Sequence, residues 1–183
     1  MMIEQILNAD KTVFFFFQRL QGHWFDYCLA APAILGDSMI ILTVSALLIL
    51  TFDKKNSFEK VTLLTFGILA AYWAVYFMKF SFHRLRPHLV WENIVVLFDK
   101  PSNYAFPSGH TAIAFAAAFI LNYIYSKKMR WTYAIAFWIG IICIYVGVHY
   151  LSDVIAGAVV GLVCGVSVCR LWELFIQTGT GEM

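Results

Sequence analysis

Three clusters in this chain hold side chains able to grip and transfer a charged group. The first runs over residues 79–87 and contains Lys79, His83, Arg84 and Arg86, followed by Pro87. An ammonium and a guanidinium seven positions apart suit a phosphate held from two sides, the guanidinium bidentately. The same run also fits a basic stop at a membrane edge. The second cluster, Phe106-Pro107-Ser108-Gly109-His110-Thr111, stands directly before an apolar stretch. Pro-Ser-Gly supplies a turn with exposed N–H groups, a helix start attracts anions through its dipole, and His110 is placed to give or take a proton. A helix cap with an incidental histidine reads the same way. The third is His149-Tyr150-Leu151-Ser152-Asp153. On a helix His149 and Asp153 share a face, and a carboxylate on one ring nitrogen leaves the other nucleophilic. A structural His–Asp pair has the same spacing.

The elements that must position these groups are membrane helices. Of 183 residues, 61% are hydrophobic and only 13% charged, and the mean hydropathy is +0.75. Soluble domains are about half apolar and a quarter charged. This arithmetic excludes a soluble enzyme and a disordered tail, and a net charge of +2 leaves no basic surface for nucleic acid. A crossing helix needs about 20 apolar residues, and five stretches approach that length: 27–52, 61–78, 107–125, 131–148 and 154–176. Residues 1–25 differ. Ile3, Ile6, Leu7, Phe14 and Phe17 recur at helical spacing among Glu4, Asp10, Lys11 and Arg19, which predicts an amphipathic interfacial helix, with a short sixth span as the alternative. The segment has neither the basic start nor the small-residue cleavage site of a signal peptide, so it is expected to be retained. The expected fold is all-α: a polytopic bundle of five to six transmembrane helices behind an N-terminal interfacial helix, as one unit over 1–183.

Gly157, Gly161 and Gly165 form a small-residue row on the last span, suited to close packing against another helix of the chain or against a second subunit as a homodimer. Cys28, Cys143, Cys164 and Cys169 lie in apolar stretches without metal-type spacing and imply neither a disulfide nor a metal site. Two loops, 51–60 and 126–131, carry Lys54, Lys55, Lys60, Lys127, Lys128 and Arg130. The opposite side carries Lys11, Arg19, Lys79, Arg84, Arg86 and Lys100, a tie by number. Setting aside the basic residues reserved for chemistry puts the two lysine-rich loops in the cytoplasm. His83, His88, His110 and His149 then gather on the other face, where ionisable groups at membrane depth mark a functional site.

In order and placement the clusters resemble the type 2 phosphatidic acid phosphatase (PAP2) superfamily of integral membrane lipid phosphatases, whose signature is KxxxxxxRP, PSGH and SRxxxxxHxxxD. Lys79…Arg86-Pro87, Pro107-Ser108-Gly109-His110 and His149…Asp153 match it, over residues 37 to about 165. The third motif departs: its Ser-Arg pair falls on Ile142 and Cys143, so a second phosphate-gripping arginine is missing, with Arg84 and His88 as the nearest substitutes. The resemblance implies His149 as nucleophile forming a phosphohistidine, Asp153 orienting it, and His110 as acid and then base. It implies Lys79, Arg86, Ser108 and the Gly109 N–H on the phosphate oxygens, with no metal and no cofactor. It implies metal-independent hydrolysis of a phosphate monoester or diphosphate on a membrane lipid. Undecaprenyl diphosphate is favoured slightly over phosphatidylglycerol phosphate, phosphatidic acid and lipid A phosphates. The expected location is a bacterial inner membrane with the site facing the periplasm or exterior. A lipid phosphotransferase, or a binder impaired by Cys143, are the alternatives.

Overall fold

The computed structural model describes residues 1–22, 26, 38–53, 55–97 and 104–180. The described residues are arranged as α1 (Met2–Arg19), α2 (Ser38–Phe52), α3 (Ser57–Phe82), α4 (Pro87–Val90), α5 (Gly109–Ile124), α6 (Trp131–Tyr145) and α7 (Leu151–Thr180). The expected all-helical bundle is therefore present. The stretches 61–78, 107–125, 131–148 and 154–176 correspond to α3, α5, α6 and α7. The first part of 27–52, with Cys28, lies outside the described residues, as do His23, Lys54 and Lys100.

Small residues decide the centre. α5 packs against α2, α3, α6 and α7, and it can do so because Ala112, Ala114, Ala116, Ala117 and Ala118 bury almost completely and hold neighbouring backbones close. Gly67 of α3 sits so near Ile120 that any Cβ there would overlap the isoleucine side chain. Along α7 the glycine row lies on α5: a Cβ on Gly157 would stand 2.5 Å from the Ser108 carbonyl oxygen, and one on Gly161 2.1 Å from that of Ala112. The face that Gly157, Gly161 and Gly165 offer is taken up within the chain. α5 already occupies it, because close approach within the chain requires the absent side chains.

The outer faces belong in hydrocarbon. Phe66, Trp73 and Phe77 of α3, and Val163, Leu171 and Phe175 of α7, are more than half exposed. In water such apolar surface would drive association. By length and apolar composition α3 and α7 can each cross a membrane, whereas α2, α5 and α6 have only 15 to 16 residues, roughly 22–24 Å at 1.5 Å per residue.

Helix limits depart from expectation for local reasons. α5 starts at Gly109 rather than 107 because Ser108 is its extended N-cap. α6 stops at Tyr145 rather than 148, and the chain then turns through Gly147 at φ +88°, where a Cβ would stand 2.9 Å from the Val95 carbonyl oxygen. α7 begins at Leu151, inside the expected break, because the Asp153 carboxylate accepts the Tyr150 N–H at 2.9 Å, closing the first turn as the acidic arm of a capping box does.

α1 is more than an interfacial helix. Ile3, Ile6 and Leu7 are exposed, but Phe14 is fully buried against Tyr150 and Ile144, and Asp10 is only 2% exposed. The second half of α1 docks onto the ends of α6 and α7.

Candidate active site

The C-terminal ends of α3 and α6 and the N-terminal ends of α5 and α7 meet at one end of the bundle, bringing the three clusters together. Backbone bonds fasten them: Ser108 N–H donates to the Asp153 carbonyl at 2.9 Å, and Ala105 N–H to that of Arg84 at 2.8 Å. Lys79, Arg86, Ser108, His149 and Asp153 are all buried. So many polar groups below the surface, among apolar helices, are costly unless each is answered or has a task.

Their orientations divide the work. Lys79 Nζ donates to the Tyr104 carbonyl oxygen. The Arg86 guanidinium donates to the Val148 carbonyl at 3.0 Å, and the same nitrogen lies 3.3 Å from His149 Nε2. His149 Nδ1 lies on the other side, 3.5 Å from Asp153 Oδ2, too far for a strong hydrogen bond. The ring therefore presents Nε2 to the cation and Nδ1 to the carboxylate. His149 belongs to the 146–150 connection, and burial pulls its pKa down to about 3, with Arg86 acting in the same direction and Asp153 opposing. At neutral pH it is an uncharged imidazole whose Nε2 lone pair faces the Arg86 guanidinium.

The two helix starts at the site are treated differently. At α7 carboxylates are already seated: Asp153 takes the Tyr150 N–H, and Asp10 takes the Ser152 N–H at 2.8 Å. At α5 the Ser108 side chain makes no capping bond and instead accepts the Thr111 hydroxyl at 3.0 Å. The positive end of α5, with Gly109 in its first turn, is the one left for an external anion. His110 follows in that turn with an exposed side chain, unlike the other site residues.

The missing arginine position faces this site. The Cys143 thiol lies against the Ser108 and Thr111 hydroxyls, near Arg86, and is packed behind by Ala114, Ala136 and Ile139. Arg84, expected as a substitute, is already engaged. One of its nitrogens donates to Asp153 Oδ1 and Ser152 Oγ, each at 2.6 Å, and the other to Asp10 Oδ2 at 2.6 Å. Its cation is turned to carboxylates because two of them flank it. His88 lies half-buried on α4, one residue past Pro87. Among the described residues no three His, Cys, Asp or Glu side chains gather as a metal cage.

The sequence assigns no separate role to Asp10, Ser152 or Thr111. The only advance sign was Asp10 sitting one helical turn before Phe14, a carboxylate in line with an apolar residue.

The chain belongs to the PAP2 superfamily, which matches residues 60–176. It is 35% identical over 107 residues to a lipid A 1-phosphatase of Porphyromonas gingivalis, covering 56% of this chain and 22% of that protein. It is 36% identical over 78 residues to the bacitracin transport permease protein BcrC of Bacillus licheniformis, covering 42% and 38%. To an undecaprenyl-diphosphatase of Sulfolobus acidocaldarius it is 31% identical over 128 residues, covering 69% of this chain and 60% of that one. The chain thus spans between about a fifth and three fifths of these relatives' own lengths. Among solved structures, LpxE of Aquifex aeolicus is similar with a TM-score of 0.73 at 30% identity, covering 88% of this chain and 94% of that one. A transmembrane PAP2-type phosphatidylglycerolphosphate phosphatase of Bacillus subtilis shares the fold with a TM-score of 0.72 at 21% identity, covering 92% and 87%. With these relatives and its outward apolar helices, the chain is an integral membrane protein.

Proposed function

We propose that this protein hydrolyses a phosphate monoester or diphosphate on a membrane lipid, without a metal, through a phosphohistidine at His149. The observation that carries this reading is the burial of His149 between a cation on Nε2 and a carboxylate on Nδ1, beside the open start of α5.

In the first step the Nε2 lone pair attacks phosphorus while the bond to the lipid oxygen (or to the terminal bridging oxygen of a diphosphate) breaks. His110 gives that oxygen its proton. The imidazole becomes a cationic phosphoimidazolium, which Asp153 stabilises. Lys79, Arg86, Ser108 and the Gly109 N–H hold the non-bridging oxygens as charge shifts in the transition state. In the second step water loses a proton to His110 and attacks the same phosphorus, the N–P bond breaks, and inorganic phosphate leaves. The two cations supply the charge neutralisation.

Undecaprenyl diphosphate is our first candidate substrate, supported by the name of the Sulfolobus relative. Lipid A phosphate, phosphatidylglycerol phosphate and phosphatidic acid follow. We place the site on the periplasmic or exterior face of a bacterial inner membrane. In support, Lys60, Lys127, Lys128 and Arg130 lie at the opposite ends of the helices from His149. Cys143 favours a second reading, a phosphotransferase or a lipid-phosphate binder with impaired turnover.

The test is phosphate release from these four lipid classes in detergent, with and without EDTA. Release that EDTA leaves unchanged and His149→Ala abolishes, with a 32P label trapped on His149, is the expected result. Turnover retained by folded His149→Ala removes the nucleophile. Loss of turnover in EDTA removes the metal-free mechanism.

A further inference from the structure

The site end of the bundle holds a buried carboxylate that none of the three motifs supplies. Asp10 comes from α1, more than a hundred residues before His149, and is 2% exposed. Its Oδ1 accepts the Ser152 N–H at 2.8 Å; its Oδ2 accepts the Ser152 hydroxyl at 2.5 Å and an Arg84 nitrogen at 2.6 Å. The other Arg84 nitrogen reaches Asp153 Oδ1 at 2.6 Å, and Asp153 Oδ2 lies 3.5 Å from His149 Nδ1. The guanidinium rests over the Tyr150 ring, 4.3 Å from its centroid, which fixes its plane between the two carboxylates. A continuous path of charged groups therefore leads from the first helix to the imidazole.

We propose that Asp10 is a positioning residue for the reaction, acting on His149 through Arg84 and Asp153. The proposal rests on the reading above that His149 is the nucleophile.

The balance of charge along this path depends on Asp10. Arg84 and Asp153 alone form a neutral pair, and a guanidinium 2.6 Å from Asp153 draws its charge away from the ring. Asp10 answers the guanidinium from its other side, so the trio carries one net negative charge. That charge is needed when the buried imidazole becomes a cationic phosphoimidazolium. Asp10 also fixes geometry, because Ser152 precedes Asp153 and both Ser152 polar groups end on Asp10. A docking role alone does not require this carboxylate. Phe14 already anchors α1 with a fully buried ring, and a buried ion pair is an expensive way to gain stability.

The charge count sets a kinetic signature. Phosphate is held by other groups, so loss of the Asp10 charge leaves KM unchanged or lower while kcat falls. Asp10→Asn keeps the shape and removes the charge. We expect its kcat to fall about tenfold or more, the effect of weakening a charge-assisted contact in a buried site. Phe14→Leu, which trims the apolar anchor while α1 stays seated and no charge changes, should keep kcat per folded molecule within about threefold of the parent.

The measurement is steady-state phosphate release in detergent across substrate concentration, normalised to folded protein. It is run in the unaltered chain or, if that is silent, in Cys143→Arg. Asp10→Asn within threefold of the parent kcat overturns the proposal; so does a kcat loss matched by Phe14→Leu, or one accompanied by an equal rise in KM. If Asp10→Asn does not fold, Arg84→Lys replaces it, since lysine keeps the charge but cannot bridge both carboxylates: a fall in kcat at constant KM supports the path, and an unchanged kcat overturns it. An active His149→Ala, or silence of both parents, overturns the functional reading and this proposal with it. A neutral Asp10→Asn beside an inactive His149→Ala overturns only the proposal.

Discussion

Replacing Gly161 by alanine tests whether the contact between α5 and α7 positions the site. The added Cβ would stand 2.1 Å from the Ala112 carbonyl oxygen, 2.9 Å from its carbon and 3.1 Å from its Cα. All three are backbone atoms of a central helix, so no rotamer change relieves them. Restoring ordinary contact near 3.4 Å requires the helices to part by about 1.3 Å. Ser108 lies one turn from Ala112, and its N–H reaches the Asp153 carbonyl at 2.9 Å. A shift of that size breaks this bond and draws Ser108 and Gly109 away from His149. A misplacement of 1 Å costs roughly 10²-fold in rate, and overpacking a core costs about 1–3 kcal/mol of stability. The expected result for Gly161→Ala is therefore a kcat lower by about 10²-fold with a lowered Tm in detergent. Gly165→Ala should be far milder, because its Cβ meets the Phe119 side chain at 3.1–3.3 Å, which can yield. Phosphate release and thermal unfolding of the two variants, side by side, decide the matter. Near-parent kcat and Tm in Gly161→Ala, or equal damage from Gly165→Ala, would show that this contact does not position the site. So would a dimer that Gly161→Ala splits into fully active monomers.

Since Arg84 is tied to Asp10 and Asp153, Cys143→Arg should supply a phosphate contact that is otherwise missing. We expect phosphate release to rise by about 10²–10³-fold, the worth of one transition-state donor; an unchanged rate would mean that another group already makes the contact. A second prediction follows from the burial of His149, whose pKa is about 3 in the fold against 6.5 for an ordinary histidine. Below pH 6.5 the unfolded chain takes a proton that the folded one refuses, so the stability present above that pH is lost as pH falls towards 3. Between pH 6.5 and 5 the loss is about 2 kcal/mol. Thermal unfolding should show it in the parent and not in His149→Gln, and parallel curves would place His149 in a wetter site. Labelling of single-cysteine variants in cells should find Lys127→Cys protected from membrane-impermeant reagents and His83→Cys reactive, and the reverse pattern would invert the topology.

The class of fold was legible in composition and hydropathy alone, and the spacing of a few polar residues nominated the candidate site groups. A composition 61% hydrophobic and 13% charged forces apolar helices into a membrane, and Lys79, Arg86, Ser108, His149 and Asp153 stand out because charged and polar groups are costly there. Local chemistry also explains the helix limits once the neighbours are known: Gly147 must turn where the Val95 carbonyl crowds it, and Asp153 can close the first turn of α7. What the sequence left open depends on which groups meet across long separations. The glycine row of α7 reads alike for a partner within the chain or outside it, and only the seating of Ala112 on Gly161 settles that α5 fills it. Arg84 reads as a spare cation until Asp10 and Asp153 are seen on its two sides. Asp10 itself lies in a helix whose periodicity reports an interface, and its place one turn before Phe14 does not say which groups the carboxylate meets. Periodicity records which face of a helix is apolar, whereas the fate of a buried charge depends on the partner that tertiary packing brings within hydrogen-bond reach.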